Sequence, residues 1–152
     1  MAEHQYVVFK LNKEEYGIDI MNVKEIITYQ ESIHVPNTPK FIEGIINYRG
    51  NVIPIINLKK RFNIDNEIFT KDTRIIVINI EDKEVGFIVD EASQTIRLDE
   101  KQIDPTPDII SGIDKKYVIG IGKIDEERLL ILIDLQKILT DKEIYEIETL
   151  EL

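Results

Sequence analysis

Hydrophobic positions along this chain come in short runs that break often. Val7, Phe9 and Leu11 alternate with polar or smaller neighbours until Asn12-Lys13 interrupts them, which predicts a strand followed by a turn. Residues 15–20 predict a return strand. Residues 23–28 read as extended, although Ile20, Val23, Ile26 and Ile27 also fit one helical face. So short an apolar run leaves both readings open. Val35-Pro36-Asn37-Thr38-Pro39 predicts a loop, because each proline fixes φ and lacks an N–H. Residues 41–47 and 52–57 flank Arg49-Gly50-Asn51, a hairpin signal. Residues 74–80 and 84–90 flank the charged turn Glu81-Asp82-Lys83. Residues 117–124 and 128–133 flank Asp125-Glu126-Glu127. About ten short strands with turns this frequent predict an all-β fold of barrels or sandwiches, not a βαβ sheet.

Helical signals are few. Asn57 is placed to cap a short helix whose Leu58, Arg61 and Phe62 fall at i, i+3 and i+4. Asp134 is placed to do the same for Leu135, Ile138 and Leu139. Thr140-Asp141-Lys142-Glu143 spells a capping box, and Ile144, Ile147 and Leu150 follow at i+3 spacing. A C-terminal amphipathic helix over about 141–150 is the expectation.

The two halves echo each other. Glu15-Tyr16-Gly17-Ile18 matches Glu84-Val85-Gly86-Phe87 at an offset of 69, which Pro36 and Pro105 share. Phe41-Ile42-Glu43-Gly44-Ile45 matches Ile109-Ile110-Ser111-Gly112-Ile113 at an offset of 68. Asn57-Leu58 with Phe62 matches Asp134-Leu135 with Leu139 at an offset of 77, so the second copy needs a longer hairpin. The reading is a single domain over 1–152 made of two similar small barrels, the halves joined by the polar stretch 63–72.

Composition narrows the function classes. The chain has 152 residues, 43% hydrophobic and 32% charged, and so has the profile of a globular protein. Its 19 basic and 29 acidic residues leave a net charge of −10. That disfavours a nucleic-acid partner, whose phosphates call for a basic footprint, and an anionic membrane surface. With no cysteine there is no disulfide, thiol nucleophile or Cys-type zinc site. No apolar run is long enough to span a bilayer, and the first residues lack a signal-peptide pattern, so a cytoplasmic protein is expected. Ile supplies 31 residues, which fits either a thermophile or an AT-rich genome.

Candidate chemistry is thin. His4 and His34 have no second metal ligand at strand or helix spacing, and no metal or cofactor is expected. Ser32, Ser93 and Ser111 lie outside any G-x-S-x-G setting, and Gly120-Ile121-Gly122 lacks the third glycine and the helix of a phosphate cradle. Acidic clusters at 90–91, 99–100 and 125–127 fall at turns. A carboxylate hydrolase would require them to converge in a cleft, and a small-molecule carrier would require a cavity that the bulky isoleucines fill. One stretch stands apart: 41–58 carries only Glu43 and Arg49 as charged residues. An arginine at a hairpin tip offers a fork for a carboxylate, and Glu25, lone among Val23, Ile26 and Ile27, is the partner chosen for it.

These residues carry a family resemblance. Glu15-Tyr16-Gly17-Ile18-Asp19-Ile20, Val23-Lys24-Glu25-Ile26, Asn37-Thr38-Pro39 and above all the run from Phe41 to Leu58, with its Gly-x-x-Asn-x-Arg-Gly-x-x-x-Pro pattern, resemble the CheW family of bacterial chemotaxis adaptors. Val85-Gly86-Phe87-Ile88-Val89-Asp90 and Ile131-Leu132-Ile133-Asp134-Leu135 extend the likeness, which spans about 5–139. Tyr48, where most members carry Leu, is a mild departure. The resemblance implies two intertwined five-stranded SH3-like barrels and a non-catalytic scaffold. It implies as partners the regulatory domain of the histidine kinase CheA and the cytoplasmic tip of methyl-accepting chemoreceptors, with recruitment to membrane-bound receptor arrays. The positions matching the family's apolar receptor groove are Val7, Ile20, Val23 and Ile26. Glu25 and Arg49 match a charge pair important to adaptor function, and Gly44, near Gly50, matches a position sensitive to substitution. Any of the groove positions could equally fill the core between barrels.

Overall fold

A computed structural model describes residues 3–64, 68–107, 109 and 114–149. Two sheets carry the fold. The strands are β1 (Glu3–Leu11), β2 (Glu14–Asp19), β3 (Glu25–Thr28), β4 (Ile42–Tyr48), β5 (Asn51–Asn57), β6 (Arg74–Ile80), β7 (Lys83–Val89), β8 (Glu91–Asp99), β9 (Ile103–Asp104), β10 (Val118–Lys123) and β11 (Leu129–Ile133). The helices are α1 (Leu58–Arg61), α2 (Asp114–Tyr117) and α3 (Asp141–Glu148). The open reading of 20–28 resolves into both forms. Ile20–Asn22 makes a 3₁₀ turn capped by the Asp19 carboxylate, and β3 follows it. Asn57 caps α1 and Thr140 with Glu143 forms the capping box of α3, as the local pattern expects. Leu150 lies outside the described residues.

Strand order is β8-β1-β2-β11-β10-β9 in one sheet and β3-β6-β7-β5-β4 in the other. Neither sheet is a contiguous piece of chain. The hairpin β1–β2 leaves the first half and joins β8–β11, while β6–β7 makes the reciprocal move and joins β3–β5. The sheets therefore do not follow the sequence halves: residues 63–72 link the two sequence copies, but α1 before them and β6 after them serve the same sheet. The intertwining is this exchange of hairpins.

The exchange obeys the internal repeat. β2 runs parallel to β11 with Gly17 opposite Leu132, and β7 runs parallel to β5 with Gly86 opposite Ile55. Both glycines make room for close packing. A Cβ would stand 2.8 Å from Leu130 at Gly17 and 2.6 Å from Ile55 at Gly86. Bulges fix the rest of the correspondence. Gly44 follows a register shift opposite Ile55, and Gly120 follows one opposite Leu132. Gly44 and Gly120 thus hold equivalent places in the two hairpins, while the match at an offset of 68 cannot be followed past Ile109. Residues 110–113 lie outside the described residues.

Each sheet encloses a small cluster of its own, Ile53, Ile55 and Ile75 in one and Val8, Leu98 and Leu130 in the other, and a larger core is shared between them. Phe9, Leu11 and Ile18 of the exchanged hairpin pack in one cluster with Ile76, Ile78 and Phe87 of the other sheet and with Leu135, Leu139 and Ile147. Arg61 fastens α3 over this core. Its guanidinium donates to both oxygens of Glu143 at 2.6 Å each and to the Ile138 carbonyl at 3.1 Å.

Candidate functional site

The β4–β5 hairpin turns in two residues. Tyr48 pairs with Asn51, and Arg49 and Gly50 both take positive φ, 50° and 86°. That is the backbone of a type I′ turn, whose twist matches that of the strands it joins. The Asn47 side chain accepts from the Gly50 N–H at 3.0 Å and holds the turn. Its geometry throws Arg49 toward β3, at the opposite edge of the five-stranded order, so the sheet curls on itself. A bridge between Ile33 and Ile45, two hydrogen bonds of 2.9 Å, draws the same two edges together.

There Arg49 meets Glu25 as a fork. Nε donates to Oε1 at 2.9 Å and Nη2 to Oε2 at 2.8 Å. The Tyr48 hydroxyl donates to Oε1 at 2.6 Å, and its ring lies 5.7 Å from the Arg49 guanidinium and 5.8 Å from the Lys24 ammonium. Lys24 in turn pairs with Glu84 of β7, which also accepts from Asn51 at 3.5 Å. The sequence pattern pairs Glu25 with Arg49 but gives no sign of the other members of this cluster. Tyr48 was legible only as a departure from a leucine, yet its hydroxyl is the third donor on Glu25.

Charge and hydrogen bonds set the protonation states. Arg49, then Tyr48, hold the Glu25 carboxyl at about 2, and the shared bond to Glu25 pushes the Tyr48 phenol up. Because the folded pKa of Glu25 is depressed, its stabilising contribution is present above the ordinary carboxylate pKa and is lost as pH falls through the folded one. The window runs from about pH 4.5 down to about 2. Glu25→Gln should therefore melt below the parent at neutral pH, and the gap should close as both are acidified through that window. A gap of constant size from pH 7 to pH 2 would mean that the carboxylate charge contributes nothing.

The positions expected to line a groove separate in the structure. Val7 is 2% exposed; it sits on β1 between β2 and β8 and belongs to the core, which corrects its placement in an open groove. Ile20, Val23 and Ile26 are half-buried and pack against that core from the crossing between the sheets. Met21, at the apex of the 3₁₀ turn, is 86% exposed and was missed. Only its place among apolar neighbours could have signalled it. Gly44 is buried behind the Ile33 bridge, while Gly50 stands open at the hairpin tip.

The acidic clusters do not converge; they hold turns. Asp125 accepts from the N–H groups of Glu127 and Arg128 at 2.8 and 2.9 Å, Asp99 from that of Lys101 at 2.8 Å, and Asp90 from Lys59 Nζ at 3.1 Å. Among the described residues no helix is long and apolar enough to cross a membrane.

Comparison with known proteins agrees with this architecture. A CheW-like domain model matches residues 5–143. The chain is 38% identical to the chemotaxis protein CheW of Klebsiella aerogenes, over 91% of this chain and 83% of that one. It is 42% identical to CheW of Bacillus subtilis, over 90% and 86%. The crystal structure of the scaffolding protein TtCheW from Thermoanaerobacter tengcongensis superposes with a TM-score of 0.80 at 42% identity, covering 91% of this chain and 88% of that one. With its exchanged hairpins and its Glu25–Arg49 fork, the chain belongs to the CheW-like domain family of non-catalytic chemotaxis scaffolds.

Proposed function

We propose that this protein couples the cytoplasmic tips of methyl-accepting chemoreceptors to the regulatory domain of the kinase CheA, at membrane-bound receptor arrays. The observation that carries the reading is the apolar strip at the crossing between the sheets. Ile20, Val23 and Ile26 are half-buried there, and Met21 projects beyond them. An amphipathic helix laid on that strip would bury its apolar face in a shallow groove. The Glu25–Arg49–Tyr48 cluster borders β3 on the same segment and gives the groove a rigid, charged flank.

The test is autophosphorylation of the cognate kinase with a receptor signalling fragment, with and without this protein. Receptor control of the kinase should require it. Indifference of the kinase at saturating protein would end the coupling reading. Val23→Asp should weaken binding of the receptor fragment about tenfold or more while the far-ultraviolet circular dichroism is retained. Loss of that fold signal would instead place Val23 in the core.

A further inference from the structure

The internal repeat points to a second clamp. In the five-stranded sheet Arg49, at the hairpin tip between β4 and β5, grips Glu25 on the edge strand β3, and Glu84 on the exchanged hairpin is held by their chain neighbours Lys24 and Asn51. Shifted by the 69 residues that relate Gly17 to Gly86, Glu25 corresponds to Gln94 on the edge strand β8, and Glu84 corresponds to Glu15 on the exchanged β2. The hairpin tip between β10 and β11 also carries an arginine, Arg128. These three side chains meet. Arg128 Nε donates to Glu15 Oε1 at 2.9 Å, and its Nη2 donates to Glu15 Oε2 at 2.6 Å and to Gln94 Oε1 at 2.8 Å.

The wiring differs between the copies in one respect. In the first, the fork grips the edge strand and leaves the exchanged glutamate to Lys24. In the second, the fork grips the exchanged glutamate and reaches the edge strand through an amide. Arg128 thus spans from β11 over β2 and β1 to β8. Its fork lies beside the short ladder that joins β2 to β11 among the described residues, Tyr16 with Ile131 and Gly17 with Leu132. So short a parallel ladder is a weak seam, and a bidentate charged pair at its end fixes the register. The Glu15 side chain is 17% exposed and that of Arg128 34%, so the pair is partly shielded from solvent.

We infer that Arg128, Glu15 and Gln94 are positioning residues for the apolar strip at Ile20, Val23 and Ile26. The strip joins two sheets: Ile20 ends the exchanged hairpin seated in one, and Ile26 lies on β3 in the other. How that hairpin is seated therefore sets the spacing of the strip. The inference rests on the receptor-coupling reading for its functional half, and on the fold alone for its structural half.

The experiment has an arm for each half. Amide spectra of isotope-labelled Arg128→Ala and Glu15→Gln should show shifts at residues 20–26 as well as around the substitutions. Affinity for a receptor signalling fragment, measured well below each variant's melting temperature, should fall about fivefold. The charge-swapped double variant Glu15→Arg/Arg128→Glu should recover part of it, and Gln94→Ala, which spares the fork, should lose less. Shifts confined to the clamp, or unchanged affinity beside a lowered melting temperature, would make the clamp a local brace and overturn the inference. Failure of the parent protein itself to bind the fragment would instead overturn the coupling reading and leave the spectral arm to decide the structural half.

Discussion

Asp90→Ala is expected to destabilise the protein by about 3 kcal/mol or more, lowering the melting temperature by roughly 10 °C in a chain of this size. Asp90 stands where the chain leaves β7 for β8 and so crosses between the sheets. One of its oxygens accepts from Lys59 Nζ at 3.1 Å, the other from the backbone N–H of Asn12 at 2.6 Å, in the turn of the exchanged hairpin. The Lys59 side chain is 6% exposed. Removing the carboxylate leaves the Lys59 ammonium buried without its counter-charge and takes away the bond that ties Asp90 to the Asn12 turn. The ammonium accounts for most of the loss, because water cannot reach it, whereas Asn12 is exposed and water can take the place of its acceptor. Lys59→Met should cost less, because Asp90 is the more exposed partner at 24% and can turn to solvent. The combined variant should be clearly more stable than the sum of the two losses, since a buried pair replaced as a unit leaves no uncompensated charge. Chemical denaturation of all four proteins closes the cycle. Additive losses would show that the two groups do not interact and that the crossover is held by packing alone.

The parts of this fold that were legible in the sequence are the parts decided locally. Alternation and turn residues marked the strands around 49–51, 81–83 and 125–127, because period and turn chemistry act within a few residues. Asn57 and Thr140 marked helix starts for the same reason. Strand partnership is not local. Nothing in β1 or β2 says that they pair with β8 and β11, since an exchanged and an unexchanged hairpin expose the same alternating faces. The choice rests on Gly17 beside Leu130 and Gly86 beside Ile55, contacts between residues far apart in the chain. Of the candidate site, Glu25 and Arg49 were legible because a charge in a run of sparse charge, at a hairpin tip or among Val23, Ile26 and Ile27, calls for a partner. Val7 was misplaced because an alternating strand has an apolar face whether that face meets a core or a groove. Only the flanking strands β2 and β8 decide it. Arg128 follows the charged turn Asp125-Glu126-Glu127, where one more charge carries no pattern.

Gly44→Ala should also cost about 3 kcal/mol, a large effect for one methyl group. A Cβ at this position would lie 2.6 Å from the Ser32 hydroxyl oxygen and 2.7 Å from the Ile33 carbonyl oxygen. That carbonyl is not free to retreat. It accepts from the Ile45 N–H at 2.9 Å, and the Ile33 N–H returns the bond to the Ile45 carbonyl. The methyl must either displace this pair, opening the place where the sheet edges meet, or undo the bulge that shifts register between Ile42 and Gly44. Gly50 is the control within the same hairpin. It has φ of +86° but nothing within 4 Å, so Gly50→Ala meets backbone strain alone, about 1 kcal/mol. The two substitutions add the same atom and differ only in what it meets. Thermal melts should rank Gly44→Ala well below Gly50→Ala, and hydrogen exchange at Ile33 and Ile45 should quicken in the first and stay unchanged in the second. Equal losses in the two variants would mean that the close approach behind Gly44 relaxes freely. In that case the sensitivity expected at this position would belong to a partner's approach and not to the fold.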